Sequence, residues 1–233
     1  MYRFSMFEND KPESSFMSPK IALTLGDPAG IGPELVARMC HDAEVKDLAE
    51  LVVVGQPALL AAGATAAGLT MPEVEIAECG SPAQIKFGQP SALSGSLAGA
   101  FVARAVEMCL KNQVQAMATA PLSKEHLNAG GYHYSGHTDM LGHLAGGVKP
   151  VMMLAGSRLR VSLVTAHTRL SAAPGLITEE SILHTSIATC QWLRRFLSCE
   201  QPRLAVAALN PHAGEGGLLG WEEQTVIDRK SVV

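Results

Sequence analysis

Seven short apolar runs punctuate this chain, and helical patterns lie between several of them. The runs are "KIALTL" (20–25), "LVVVG" (51–55), "VEIAE" (74–78), "VQAMAT" (114–119), "VMML" (151–154), "RVSLVT" (160–165) and "LAVAAL" (204–209). Each is rich in Val, Leu, Ile, Met or Ala, and Gly, Pro or Ser bounds many of them, as at strand ends. Helix candidates span 33–40, 57–67, 94–111, 123–129, 138–145 and 178–197. In 94–111 the apolar residues recur at three- and four-residue steps, which gives one buried face. Strands spaced by helices require crossover connections. Near-continuous apolar strands are those covered on both faces. The pattern therefore predicts an α/β fold with a mainly parallel sheet flanked by helices.

The bulk numbers agree with a globular chain of this kind. Hydrophobic residues make up 47% and charged residues 17% of 233 residues, enough for a sizeable core. A net charge of −4 and the lack of a basic stripe exclude a nucleic-acid partner. The cysteines at 40, 79, 109, 190 and 199 form no CxxC pair, and their odd number fits reduced thiols. Residues 1–18 are polar and mixed in charge, so they read as a disordered N-terminal extension and not as a secretory signal. No run reaches the ~20 apolar residues of a membrane span. The expectation is a cytoplasmic protein with no membrane partner. Its folded part is expected over 19–233, with an internal boundary near 120–150, where "NAGGYHYSGHTDMLGHLAGG" is dense in glycine and histidine.

In parallel α/β sheets ligands bind beyond the carboxyl ends of strands. Four predicted strands end in polar or glycine-rich loops: "GDPAGIGPE", "APLSKEH", "AHTRL" and "NPHAGEGG". Together these offer Asp27, Lys124, His167 and His212. The first loop has glycines for a tight turn and a proline suited to a helix start, so its amides are a candidate anion site. It matches neither GxGxxG nor the P-loop, and a plain strand-to-helix turn accounts for it equally well. Lys124 suits a phosphate or carboxylate, or simply water. In "SGHTDMLGHL", His137 and Thr138 have donors for a polar substrate, although Thr138 or Asp139 also suits a helix cap.

His167 and His212 follow two different strands, and imidazole is a common ligand for transition metals. Two histidines at equivalent strand ends point to a metal site more strongly than either does alone. A catalytic zinc site uses three protein ligands, and spacing alone leaves His137 open as the third. His41, His126, His133, His143 and His184 carry no comparable signal.

Together "LTLGDPAGIGPE", "ATAPLSKEHLNAGGYHYSGHTD", "VTAHTRL" and "LNPHAGEGGLLGWEE" resemble the 4-hydroxythreonine-4-phosphate dehydrogenase (PdxA) family, in order, from about residue 19 onward. The resemblance implies a two-domain fold like that of isocitrate and isopropylmalate dehydrogenases, and a homodimer. It implies NAD- or NADP-dependent oxidation of 4-phosphooxy-L-threonine, with decarboxylation to 3-amino-2-oxopropyl phosphate, in pyridoxal phosphate biosynthesis. The substrate is thus a small phosphorylated hydroxy acid, and the cofactors are a dinucleotide and a divalent metal (Zn, Mg, Co or Mn). His137 and Thr138 map onto substrate contacts, and His167 and His212 onto two of three metal-ligand histidines. No residue is assigned to proton transfer.

Two features depart from the family pattern. Asp139 stands where most members carry glutamate after GHT. The family also runs on by roughly a third of its sequence, with an "HDQG"-like segment that supplies the third histidine. The chain therefore reads as C-terminally truncated, its third metal ligand beyond residue 233. A D-threonate or D-erythronate 4-phosphate dehydrogenase of the same family is the alternative enzyme, and a non-catalytic truncated product is the alternative of another class.

Overall fold

The structure, a computed structural model, describes residues 18–81, 84–134 and 136–228. The extension expected over 1–18 lies outside them apart from Ser18, as do Ser135 and the terminal "RKSVV". The described residues fall into two compact units, divided between Pro150 and Val151.

In the first unit, β1 (Lys20–Thr24), β2 (Glu50–Gly55), β3 (Glu75–Glu78) and β4 (Ala116–Thr119) form one sheet in the order β3-β2-β1-β4. All three pairings are parallel. The expected fold class is therefore observed. Helices α1 (Gly32–His41), α2 (Ala43–Leu48), α3 (Pro57–Ala66) and α4 (Ala92–Leu110) make the crossovers. Right-handed crossovers place α1 and α3 on one face and α4 on the other. Val52, Val53 and Val54 are consecutive and fully buried, so the middle of the sheet is covered on both faces.

The core gathers Leu25, Val36, Leu60, Leu97 and Phe101 around these valines. Phe101 is fully buried, which contributes roughly 1.5–3 kcal/mol. By length and composition α4 would cross a bilayer, but 56% of its apolar window is buried inside the protein, as in a core helix. Ser91 and Ser94 cap it reciprocally. The apolar periodicity does not announce α2, which the Asp42 carboxylate starts by accepting from the amides of Glu44 and Val45. Helices α5 (Lys124–Ala129) and α6 (His137–Leu144) complete the unit, and Val102, Val106, Leu127 and Met140 form a second core cluster.

The second unit corrects two expectations. β5 (Met153–Ala155) and β6 (Arg160–Ser162) pair antiparallel, not through a parallel crossover. Only residues 156–159 join them, closed by the Gly156 amide donating to the Leu159 carbonyl at 2.9 Å. A parallel connection needs a dozen residues or more. The run 204–209 is not a strand: Leu204 and Val206 are exposed and no ladder forms along it. Its apolar pattern records a preference for cover, which no described neighbour supplies. Helices α7 (Ala173–Leu176) and α8 (Glu179–Leu197) follow β6, and Thr178 and Ser181 cap α8 reciprocally.

Candidate functional site

The sheet order reverses at β1. The chain moves outward through β2 and β3, then returns to place β4 on the other side of β1. A crevice opens at such a switch point, beyond the carboxyl ends of the two strands. Asp27, in the loop after β1, and Lys124, the first residue of α5 after β4, both stand there.

Gly26 makes the first turn possible. Its φ is +65°, and a Cβ on it would meet the Pro121 carbonyl oxygen at 2.4 Å. The Asp27 amide donates to that same oxygen at 3.0 Å, tying the two loops together. The Asp27 side chain is buried; Oδ1 accepts from the Ala29 amide at 2.9 Å, and Oδ2 lies 3.2 Å from Nδ1 of His126. The Gly30 amide donates to the Asp27 carbonyl at 3.0 Å. The loop's own aspartate therefore takes two of the amides that an anion would have used. Lys124 is exposed at the start of α5, where Ser123 caps the helix.

His126 carried no signal in the sequence, because its partner lies in another loop. Thr119 is a second such residue. Its Oγ1 lies 3.2 Å from Nε2 of His137, at the start of α6. Beside it, in register on β1, Thr24 is fully buried, and its hydroxyl has no hydrogen-bond partner. Nδ1 of His137 is likewise buried and unpartnered. Burial lowers the pKa of His137 from 6.5, which keeps the ring neutral at pH 7. Thr138 follows, half-buried. Unsatisfied buried polar atoms are uncommon, and two of them at a switch point make this the candidate site of the first unit.

His167 and His212 belong to the second unit, and both are exposed. Both also hold left-handed backbone, with φ +53° and +51°. From His212 to Gly217 every φ is positive, including those of Ala213 and Glu215. Each non-glycine residue there costs about 1–2 kcal/mol. Such strain persists only where the surroundings over-determine the backbone, which happens most often at functional sites.

The surroundings include Glu223, which is buried. Its Oε1 accepts from the amides of Leu209 at 2.9 Å and Asn210 at 2.6 Å, and its Oε2 accepts from Nδ2 of Asn210 at 3.0 Å. The Asn210 amide, then its side chain, hold the Glu223 carboxyl below its ordinary pKa.

Two exposed imidazoles are borderline nitrogen donors, and that chemistry suits a divalent transition metal. Among the described residues no three His, Cys, Asp or Glu side chains come together in a ligand cluster.

A family described as pyridoxal phosphate biosynthetic protein PdxA matches residues 46–230. A 4-hydroxythreonine-4-phosphate dehydrogenase of Geobacter metallireducens is 41% identical over 227 residues, covering 90% of this chain and 66% of the relative. A protein assigned as a D-threonate 4-phosphate dehydrogenase, from Bradyrhizobium diazoefficiens, is 39% identical, covering 88% of this chain and 64% of the relative. The crystal structure of a 4-hydroxythreonine-4-phosphate dehydrogenase from Burkholderia phymatum superposes with a TM-score of 0.79 at 34% identity, covering 91% of this chain and 68% of that one. The chain thus spans about two thirds of the length of the relatives it matches. With the parallel sheet, the polar switch point and the NPHAGEGG turn all in place, the chain belongs to the PdxA family of pyridoxal phosphate biosynthetic proteins.

Proposed function

We propose that this chain carries the substrate-binding face and part of the metal centre of a 4-hydroxythreonine-4-phosphate dehydrogenase. The observation that supports this best is the polar cluster of Thr24, Thr119 and His137 at the switch point, with the Thr24 hydroxyl and Nδ1 of His137 buried, in a chain 41% identical to an enzyme of that name. The reaction removes hydride from the secondary alcohol of 4-phosphooxy-L-threonine to NAD or NADP and releases the hydroxyl proton. The bond from the α-carbon of the resulting β-keto acid to its carboxylate then breaks; CO2 leaves, and the enolate left behind takes up a proton to become 3-amino-2-oxopropyl phosphate.

His137 and Thr138 orient the substrate. Thr119 holds the imidazole, and its neutrality lets it hydrogen-bond a substrate oxygen without competing with a cation. His167 and His212 would hold the divalent metal, with a further ligand from outside the described residues. When bound, that metal supplies Lewis acidity, which lowers the pKa of the alcohol. Imidazole donors favour zinc or cobalt over magnesium, with manganese between. Asp27 and Lys124 line the substrate side of the first unit. A homodimer and a cytoplasmic location complete the reading; Leu159, Leu170 and Trp221 are exposed apolar side chains that association would cover. The domain limits we adopt are a 1–18 extension and a dehydrogenase region from 19 onward.

The test is dinucleotide reduction with 4-phosphooxy-L-threonine, D-threonate 4-phosphate and D-erythronate 4-phosphate, each with NAD and NADP and added cobalt(II). Turnover confined to 4-phosphooxy-L-threonine supports the proposal. Turnover confined to the sugar-acid phosphates assigns the second reading, which the Bradyrhizobium relative favours. No turnover of any of the three overturns both.

A further inference from the structure

We propose that Glu223 is the positioning residue of His212: its carboxylate fixes the backbone of Leu209 and Asn210 and so aims the imidazole two residues on. The proposal rests on reading His212 as a metal ligand. Three hydrogen bonds converge on this one side chain, two from main-chain amides and one from the Asn210 amide group. Nδ2 of Asn210 also donates to Glu222 at 2.8 Å, so the asparagine is held from two carboxylates. Only Pro211 separates Asn210 from His212, and its ring fixes φ, which leaves few torsions through which the histidine can drift.

The left-handed turn then folds back on the same carboxylate. A Cβ on Gly214 would meet the Gly220 carbonyl at 2.7 Å and Oε2 of Glu223 at 3.0 Å, and one on Gly220 would meet Nδ2 of Asn210 at 2.3 Å. The Leu219 amide donates to the Gly214 carbonyl at 3.1 Å and closes the turn. Glu223 itself begins a π-helical turn (Glu223–Ile227), a form that recurs at functional sites. The motif "LNPHAGEGGLLGWEE" is thus one mechanical unit: the glutamate at its end holds the asparagine at its start, and the histidine stands on the strained segment between.

The experiment titrates the full chain with cobalt(II) alone by calorimetry, alongside thermal unfolding and amide hydrogen exchange over 209–219. Glu223→Gln keeps one acceptor oxygen but turns an N–H towards the N–H of Asn210. The expected result is roughly 10–100-fold weaker cobalt binding, faster exchange confined to 209–217, and an unfolding midpoint within ~2 °C of the parent. Affinity and exchange like the parent's overturn the proposal, as does a loss of affinity that tracks a general fall in stability. If Glu223→Gln does not fold, Glu223→Asp, which keeps the charge but draws the carboxylate back from the amides of Leu209 and Asn210, is held to the same criteria. His212→Ala separates the two ideas. If the parent binds no cobalt, or His212→Ala binds it equally well, the metal reading fails, while the exchange pattern of Glu223→Gln still decides whether the carboxylate holds the turn.

Discussion

Oδ2 of Asp27 lies 3.2 Å from Nδ1 of His126, although 99 residues separate them in the chain. The pair joins the loop after β1 to the first turn of α5, on either side of the switch point. Asp27→Asn removes the charge and turns a donor towards Ala29 or His126. A loss of about 1–3 kcal/mol is expected from the buried acceptor, read by urea unfolding. His126→Ala, which removes a partly exposed partner, is expected to cost less than about 1 kcal/mol. Equal losses in the two variants would show that the Ala29 bond contributes nothing separate.

His137 carries a pH signature. Burial lowers its folded pKa below 6.5, so the folded state binds fewer protons than the unfolded chain just below pH 6.5. Its contribution to stability is complete above that pH and is lost as the pH falls from about 6.5 towards the lowered value. His137→Gln has no ring to protonate. The stability difference between parent and variant, measured by urea unfolding from pH 7.5 to 5, is expected to shift against the parent on acidification; a flat difference refutes the assignment.

Gly26 and Gly68 form a controlled comparison. Both have positive φ, +65° and +71°, but a Cβ on Gly68 meets nothing within 4 Å, whereas one on Gly26 strikes backbone atoms. Gly68→Ala is expected to cost about 1–2 kcal/mol for the left-handed conformation alone. Gly26→Ala is expected to cost at least about 2 kcal/mol more, because backbone cannot step aside, and to part the β1 and β4 loops. Comparable unfolding midpoints for the two variants would exclude a close approach at Pro121.

The thiols give a chemical test of burial. Burial pushes Cys40 and Cys79 up to about 11. At pH 8 their thiolate fraction is then roughly 100-fold below that of a free cysteine. Alkylation by iodoacetamide, followed by peptide mass spectrometry, is expected to leave both largely unmodified while a small-thiol control reacts. Rapid labelling of Cys40 in folded protein would contradict a packed first unit.

Much of the first unit is legible in the chain. Three consecutive valines at 52–54 announce a strand covered on both faces, and proline and serine mark the starts of α3 and α4. The strand-end loops holding Asp27 and Lys124 are readable because apolar runs stop where polar glycine-rich segments begin. These signals are local: a residue's neighbours in sequence fix its periodicity and its turn chemistry.

What the tertiary structure decided is which distant groups meet. No periodicity pairs Asp27 with His126, Thr119 with His137, or Glu223 with Asn210, since each bond depends on how elements dock. The run 204–209 and the hairpin β5–β6 teach the same lesson. An apolar pattern states that a segment gains by being covered, but strand, direction and partner are set by connection length and by the surface available to cover it. The sequence by itself determined the strands and most helices of the first unit, the reversal-prone loops and the candidate ligands. Docking alone decided which buried polar atoms were left without a partner, and an unmet hydrogen bond is a property of three-dimensional neighbourhoods.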